Sequence, residues 1–145
     1  MTSYHAAVMA PIGQDSFDRQ IDRLLEDAVS AFGVHGAAWA PSSHAWEDDN
    51  GFYVQIALPG WDPQDVSLEV TKQVLSVKGE RKEDSGTGRT FHVKEIAVGR
   101  FLRLFRLPTS IDSEKASAAQ KNGLLTVTFP KREEAKSRRI MIEGT

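Results

Sequence analysis

The chain has no cysteine among its 145 residues. That excludes disulfides, thiolate catalysis and cysteine-ligated zinc together. No apolar run approaches the ~18 residues that a transmembrane helix needs, and the mean hydropathy of -0.37 agrees. A dominant charge is missing too. Against 18 Lys and Arg stand 20 Asp and Glu, a net charge of -2 with the signs interspersed, which gives no electrostatic basis for binding nucleic acid. The opening residues M-T-S-Y-H-A-A-V-M-A-P lack the basic and long apolar regions of a secretory signal, so a cytoplasmic protein is expected. Catalytic signatures are also absent. His5, His35, His44 and His92 show no H-E-x-x-H spacing, no serine sits in a G-x-S-x-G elbow, and no G-x-x-x-x-G-K-[ST] loop offers a nucleotide site. His92 and Glu95, three apart on an apparent strand, face opposite sides. Neither a cofactor, a metal nor an enzymatic activity is expected.

What is present is apolar material, 40% of the residues, sufficient for one domain of roughly 100 residues with appendages. Residues 1–14 carry no period and are expected to be mobile. From Asp15 the apolar positions Phe17, Ile21, Leu24, Leu25, Ala28, Val29 and Phe32 make one stripe on a helix over about 15–32. Asp15 can cap that helix, Asp18 suits its first turn, and Gly33 can end it. The stripe reads equally as a face packed on its own domain or as a sticky surface for oligomer contacts and clients. A membrane-surface helix fits poorly. The polar face sets Asp18, Asp22, Glu26 and Asp27 against Arg19 and Arg23, an acidic balance that anionic lipid repels.

Residues 33–43 are small and punctuated by Gly and Pro, as a linker is. From His44 the period becomes two. Phe52, Val54, Ile56 and Leu58 alternate with Tyr53, Gln55 and Ala57; Val66, Leu68 and Val70 form the next strand, and Val74 to Gly79 another. A charged loop over 81–89 leads to renewed alternation from Thr90 to Ala97, then to the apolar run Phe101 to Leu107. Arg103 and Arg106 within that run need partners, one of which was open to assignment on a second subunit. Asn122-Gly123 is the strongest hairpin-turn signal in the chain, because both positions tolerate positive φ. Leu125, Val127 and Phe129 alternate after it until Pro130 closes the strand. A mixed-charge tether over 131–139 ends in Ile140-Met141-Ile142. Short strands at this spacing point to an all-β sandwich.

These motifs resemble, in order, those of the small heat shock proteins (the Hsp20/α-crystallin family, of bacterial or plant type). Leu58-Pro59-Gly60, the strand ending Gly79-Glu80-Arg81, the run from Gly99 to Pro108, Asn122 to Val127, and the terminal Ile140-Met141-Ile142 carry the resemblance. Three positions depart from the family pattern. Ala57 stands where Asp is usual, Leu124 replaces Val, and 116–120 is small (Ala116, Ser117, Ala118, Ala119, Gln120), which would make a tail groove wider or shallower.

The resemblance implies an immunoglobulin-like β-sandwich, the α-crystallin domain, over 44–131, with a helical N-terminal arm over 1–43 and an extended C-terminal tail over 132–145. It implies an ATP-independent holdase that binds unfolding proteins and prevents their aggregation under stress. Dimers would form by strand exchange through Thr90, Phe91, His92, Val93, Lys94 and Arg103, pairing with the partner's strand near 44–47. Dimers would then assemble through Ile140, Met141 and Ile142 docking into a groove of Val66, Leu68, Val70, Ala116, Ala118 and Gln120. Clients would meet Phe17, Ile21, Leu24, Leu25, Val29 and Phe32. Partners would be the chain itself, unfolding clients and ATP-dependent refolding chaperones. The alternative is a non-enzymatic co-chaperone-like docking module of the same sandwich fold.

Overall fold

Alternation of apolar and polar residues dictates strands with one buried face, and the computed structural model of the protein assembles them into two layers. It describes residues 6–8, 23, 39–82 and 88–144. Eight strands are formed among these: β1 (Ala6–Val8), β2 (Ser43–Glu47), β3 (Gly51–Ala57), β4 (Val66–Thr71), β5 (Val74–Arg81), β6 (Gly99–Arg106), β7 (Ser117–Lys121) and β8 (Leu124–Pro130). Sheet A has the order β1-β6-β5-β4 and sheet B the order β2-β3-β8-β7. All pairings are antiparallel except β1 on β6.

The inner faces meet in one core. Phe52, Val54, Ile56 and Leu58 from β3 and its exit face Leu75, Val77, Phe101 and Phe105 of sheet A, with Leu125, Val127 and Phe129 beside them. Trp61 completes the cluster at the end where Trp39 stacks on it, ring centroids 5.9 Å apart, while both rings meet the edge of Phe101.

The turns follow local chemistry. Asn122 (φ 53) and Gly123 (φ 77) join β7 to β8 in the left-handed conformation that the hairpin requires. Lys72 and Gln73 make the same kind of turn between β4 and β5, with φ of 46 and 65. Neither residue type announces it. In the β2–β3 turn, Asp48 Oδ1 accepts from the backbone of Asn50 (2.7 Å) and Gly51 (2.9 Å) and from Tyr53 Oη (3.3 Å). The bond from the Asn50 backbone holds the Asp48 carboxyl below its usual range, while burial and then the adjacent Asp48 push the Tyr53 phenol up.

One expectation needs correction. Residues 1–14 were expected to carry no period and to be mobile, yet Ala6–Val8 is a strand. Three residues are too few to show a period, and the strand exists because β6 otherwise presents an unpaired edge. The alternation from Thr90 to Ala97, expected to pair on another subunit, has no regular structure over 90–98, and among the described residues no neighbouring edge pairs with it. Ahead of 44, Pro41 is buried and Trp39 packs on the core. The helix expected over 15–32 lies outside the described residues apart from Arg23, which is helical and exposed.

Candidate functional site

Two open sheet edges lie on the same side of the sandwich, because β4 ends sheet A and β7 ends sheet B. Between them runs a groove of about 240 Å³ lined by Pro63, Val66, Leu68, Ala118, Ala119, Gln120 and Leu125. Its walls are apolar except for Gln120, whose Nε2 donates to the Trp61 carbonyl at 2.7 Å. The amide oxygen of Gln120 is buried and accepts no hydrogen bond. Of the residues expected to form this groove, Val66, Leu68, Ala118 and Gln120 line it. Val70 instead packs inward against the core, and Ala116 closes the 3-10 turn that precedes β7. Ala119 belongs to the small 116–120 stretch read as the groove's edge, whereas Pro63 and Leu125 were not expected there, because their convergence depends on which strands become sheet edges.

The C-terminal segment starts anchored and ends uncovered. Arg132 donates its backbone N–H to the Ser110 carbonyl at 2.8 Å and its Nε to the Ile111 carbonyl at 2.9 Å. A 3-10 turn over Glu133–Ala135 follows, where Lys136 Nζ meets Glu133 Oε1 at 2.9 Å and holds that carboxyl below its usual range. Beyond it Ile140, Met141 and Ile142 are 79%, 87% and 95% exposed.

At the other flank, among the described residues, β2 pairs with β3 alone and leaves its second edge open. Trp46 on that strand is exposed and stacks on Tyr53 at 5.3 Å. The segment 88–98 carries Phe91, Val93 and Ile96 exposed, with Thr90, His92 and Lys94 also facing solvent. Arg89 (4.8 Å) and Lys94 (5.3 Å) lie over the Phe91 ring, and the segment curls around a concavity of about 190 Å³. Arg103, expected with this group, is placed apart from it. Its Nη1 donates to the Pro41 carbonyl of its own chain at 2.9 Å, it lies over Phe105, and burial lowers its pKa. The partner sought for an arginine in this run is therefore a backbone carbonyl 62 residues away, not an acidic side chain.

Arg81 fixes the base of the segment. One guanidinium nitrogen donates to the Gly60 carbonyl at 2.6 Å and the other to the Ala97 carbonyl at 2.9 Å, and the group lies over the Trp61 ring at 4.9 Å. It ties the start of the segment to its end and both to the turn after β3. Charged donors make bonds of roughly 1.5–3 kcal/mol each when sheltered, less where solvent screens them. Arg81→Ala is therefore expected to cost about 2 kcal/mol, with Arg81→Lys recovering part of it. Urea unfolding checks this, and an unchanged midpoint would mean that the two bonds contribute nothing net. The apolar positions Phe17, Ile21, Leu24, Leu25, Val29 and Phe32 lie outside the described residues. Among the described residues no helix is long and apolar enough to cross a membrane.

Comparison with known proteins agrees with this geometry. The model of the Hsp20/alpha crystallin family matches residues 44–143. The chain is 31% identical over 105 residues to small heat shock protein C2 of Rickettsia felis, covering 72% of this chain and 68% of that one. It is 36% identical over 135 residues to the 18.0 kDa class I heat shock protein of Daucus carota, covering 89% and 85%. Among solved structures, a small heat-shock protein from Xylella fastidiosa, described as having a distinct high order structure, shares 37% identity. It superposes with a TM-score of 0.63 over 74% of this chain and 100% of that one. The hspA from Xanthomonas axonopodis shares 39% identity with a TM-score of 0.59, over 66% and 97%.

Proposed function

Because the chain belongs to the Hsp20/alpha crystallin family, we propose a division of labour among its surfaces. Membership makes it a small heat shock protein: a non-enzymatic, stress-related holdase chaperone. The observation that carries the finer reading is the coexistence of a vacant apolar groove between β4 and β7 with an uncovered Ile140-Met141-Ile142 on an anchored tail. On an extended tail Ile140 and Ile142 project to one side, so both enter one groove of another dimer. Burying two Ile side chains is worth roughly 3–6 kcal/mol before ordering costs. Repeated around a particle, such contacts give an assembly that is stable yet exchangeable.

The dimer beneath that assembly forms by strand exchange. The segment over 90–94 has a strand's alternation and, among the described residues, no partner strand in its own chain, and the open edge of β2 offers one. Reciprocal pairing satisfies both edges. The N-terminal arm is helical over about 15–32, and its stripe, uncovered by stress, holds unfolding clients without nucleotide. The protein works in the cytoplasm and passes clients to ATP-dependent refolding chaperones.

Light scattering of a heat-labile client without ATP tests this, with the same sample sized by multi-angle scattering. Suppressed aggregation by a large particle is expected. No suppression by a monomeric particle would replace the holdase with a docking module.

A further inference from the structure

Strand alternation turns successive side chains to opposite faces. On β6, Phe101 and Phe105 point into the core, so Leu102 and Leu104 point outward from sheet A; on β5, Leu75 and Val77 point inward, so Val74 points outward. These three residues stand outside the central cluster, yet Val74 is 2%, Leu102 0% and Leu104 1% exposed. The register sets them side by side, with Ser76 opposite Leu104, Lys78 opposite Leu102 and Val74 opposite Arg106. A leucine on a bare sheet face keeps contact with water, and these do not. The outward face of sheet A is a covered apolar surface.

We propose that the surface formed by Val74, Leu102 and Leu104 docks the apolar stripe (Phe17 to Phe32) of the same chain's N-terminal arm. Three observations choose this occupant. The segment that precedes the arm lies along the β6 edge, where Val8 pairs opposite Leu104 of the patch itself, and the segment that follows it returns to the core end of the sandwich, where the Trp39 ring meets Phe101 at 5.6 Å. The dimensions agree, since a helix over 15–32 is about 27 Å long and the eight residues of β6 span about 26 Å. The stretches from Val8 to Asp15 and from Phe32 to Trp39 each reach up to ~24 Å, enough to lay one along the other. The charges are complementary as well. Lys78 and Arg106 flank the patch on the strand register, with Arg100 beyond them paired to Glu80 at 3.1 Å, and the arm's polar flank carries Asp18, Asp22, Glu26 and Asp27.

The docking surface is distinct from the tail groove and from the β2 edge. Its consequence rests on the proposed role of the stripe in holding clients: the same apolar residues cannot pack on sheet A and on a client together. At rest the chain occupies its own client site, and clients compete with sheet A for the stripe.

The absence of native cysteine makes a paired-cysteine test clean. In the full-length protein carrying Ser76→Cys and Leu25→Cys, a short bismaleimide is expected to link the two positions within one chain, giving a product of monomer mass. A product of dimer mass alone would assign the surface to the arm of a second copy and overturn the proposal. No linked product would overturn it too. An independent variant, Leu104→Lys, is expected to speed tryptic cleavage after Arg23 by about tenfold, as loss of one buried leucine contact implies. An unchanged rate in a protein whose far-ultraviolet dichroism is native would reject the docking. The aggregation assay on the unmodified protein separates the two readings: its failure removes the holdase, while the linkage still reports where the arm lies.

Discussion

The double substitution Ile140→Ala and Ile142→Ala is expected to convert the large particle into dimers in sedimentation velocity. Each Ile→Ala removes three carbons at about 0.8 kcal/mol per buried methylene, so a docked tail loses about 5 kcal/mol, a factor of a few thousand in affinity. Because every dimer contributes two tails, the loss compounds around the particle. Met141→Ala supplies the control. Met141 projects to the opposite side of an extended tail, and its loss is expected to leave the particle size unchanged. Should the double variant sediment as the original large species, the tail does not link dimers. The wall of the groove adds a graded arm. Ala118 is small and sits beside Leu68 and Leu125, so a larger apolar residue there changes the fit of the tail without touching the tail itself.

The parts of this architecture that were legible in the sequence are those governed by neighbours in the chain. Alternation from Phe52 to Leu58 became β3 with its even positions buried, and Asn122-Gly123 became a hairpin turn with both φ positive. The turn at Lys72 and Gln73 was readable only as a short connection, because neither residue favours its left-handed conformation. Arg81 had no visible role: its partners at Gly60 and Ala97 are 21 and 16 residues away, and topology alone brings them together. The carbonyl of Pro41 as the partner of Arg103 is hidden for the same reason. The segment over 90–97 shows the opposite limit. Its alternation is plain, but a strand is a relation between two chains of hydrogen bonds, and this chain alone supplies one of them. Pattern reports what a segment can pair with, not where the pairing edge lies.

Gly79→Ala is expected to be the most damaging single substitution in the sandwich, lowering stability by about 3 kcal/mol, the upper end for overpacking a core. Gly79 lies directly opposite Phe101 in the β5–β6 register, and a Cβ built there collides with Phe101 Cε1 and lies 2.7 Å from Cδ1 and Cζ. The ring has nowhere to go. Phe101 is fully buried, with the rings of Trp39 and Trp61 packed nearly perpendicular to it at centroid distances of 5.6 and 5.1 Å. Any retreat therefore displaces Trp61, over which the Arg81 guanidinium lies, and Trp39, where the N-terminal arm joins the domain. For a domain of about 100 residues, 3 kcal/mol corresponds to a fall in Tm of roughly 12–24 °C. Calorimetry checks that figure. Phe101→Leu tests the cause, because a smaller side chain opposite Gly79 makes room for the methyl group. The pair Gly79→Ala and Phe101→Leu is expected to be more stable than the sum of the single losses by 1 kcal/mol or more, about the size of coupling seen for residues in contact. Additive losses would place the cost of the methyl group in the strand backbone and leave the aromatic cluster out of it.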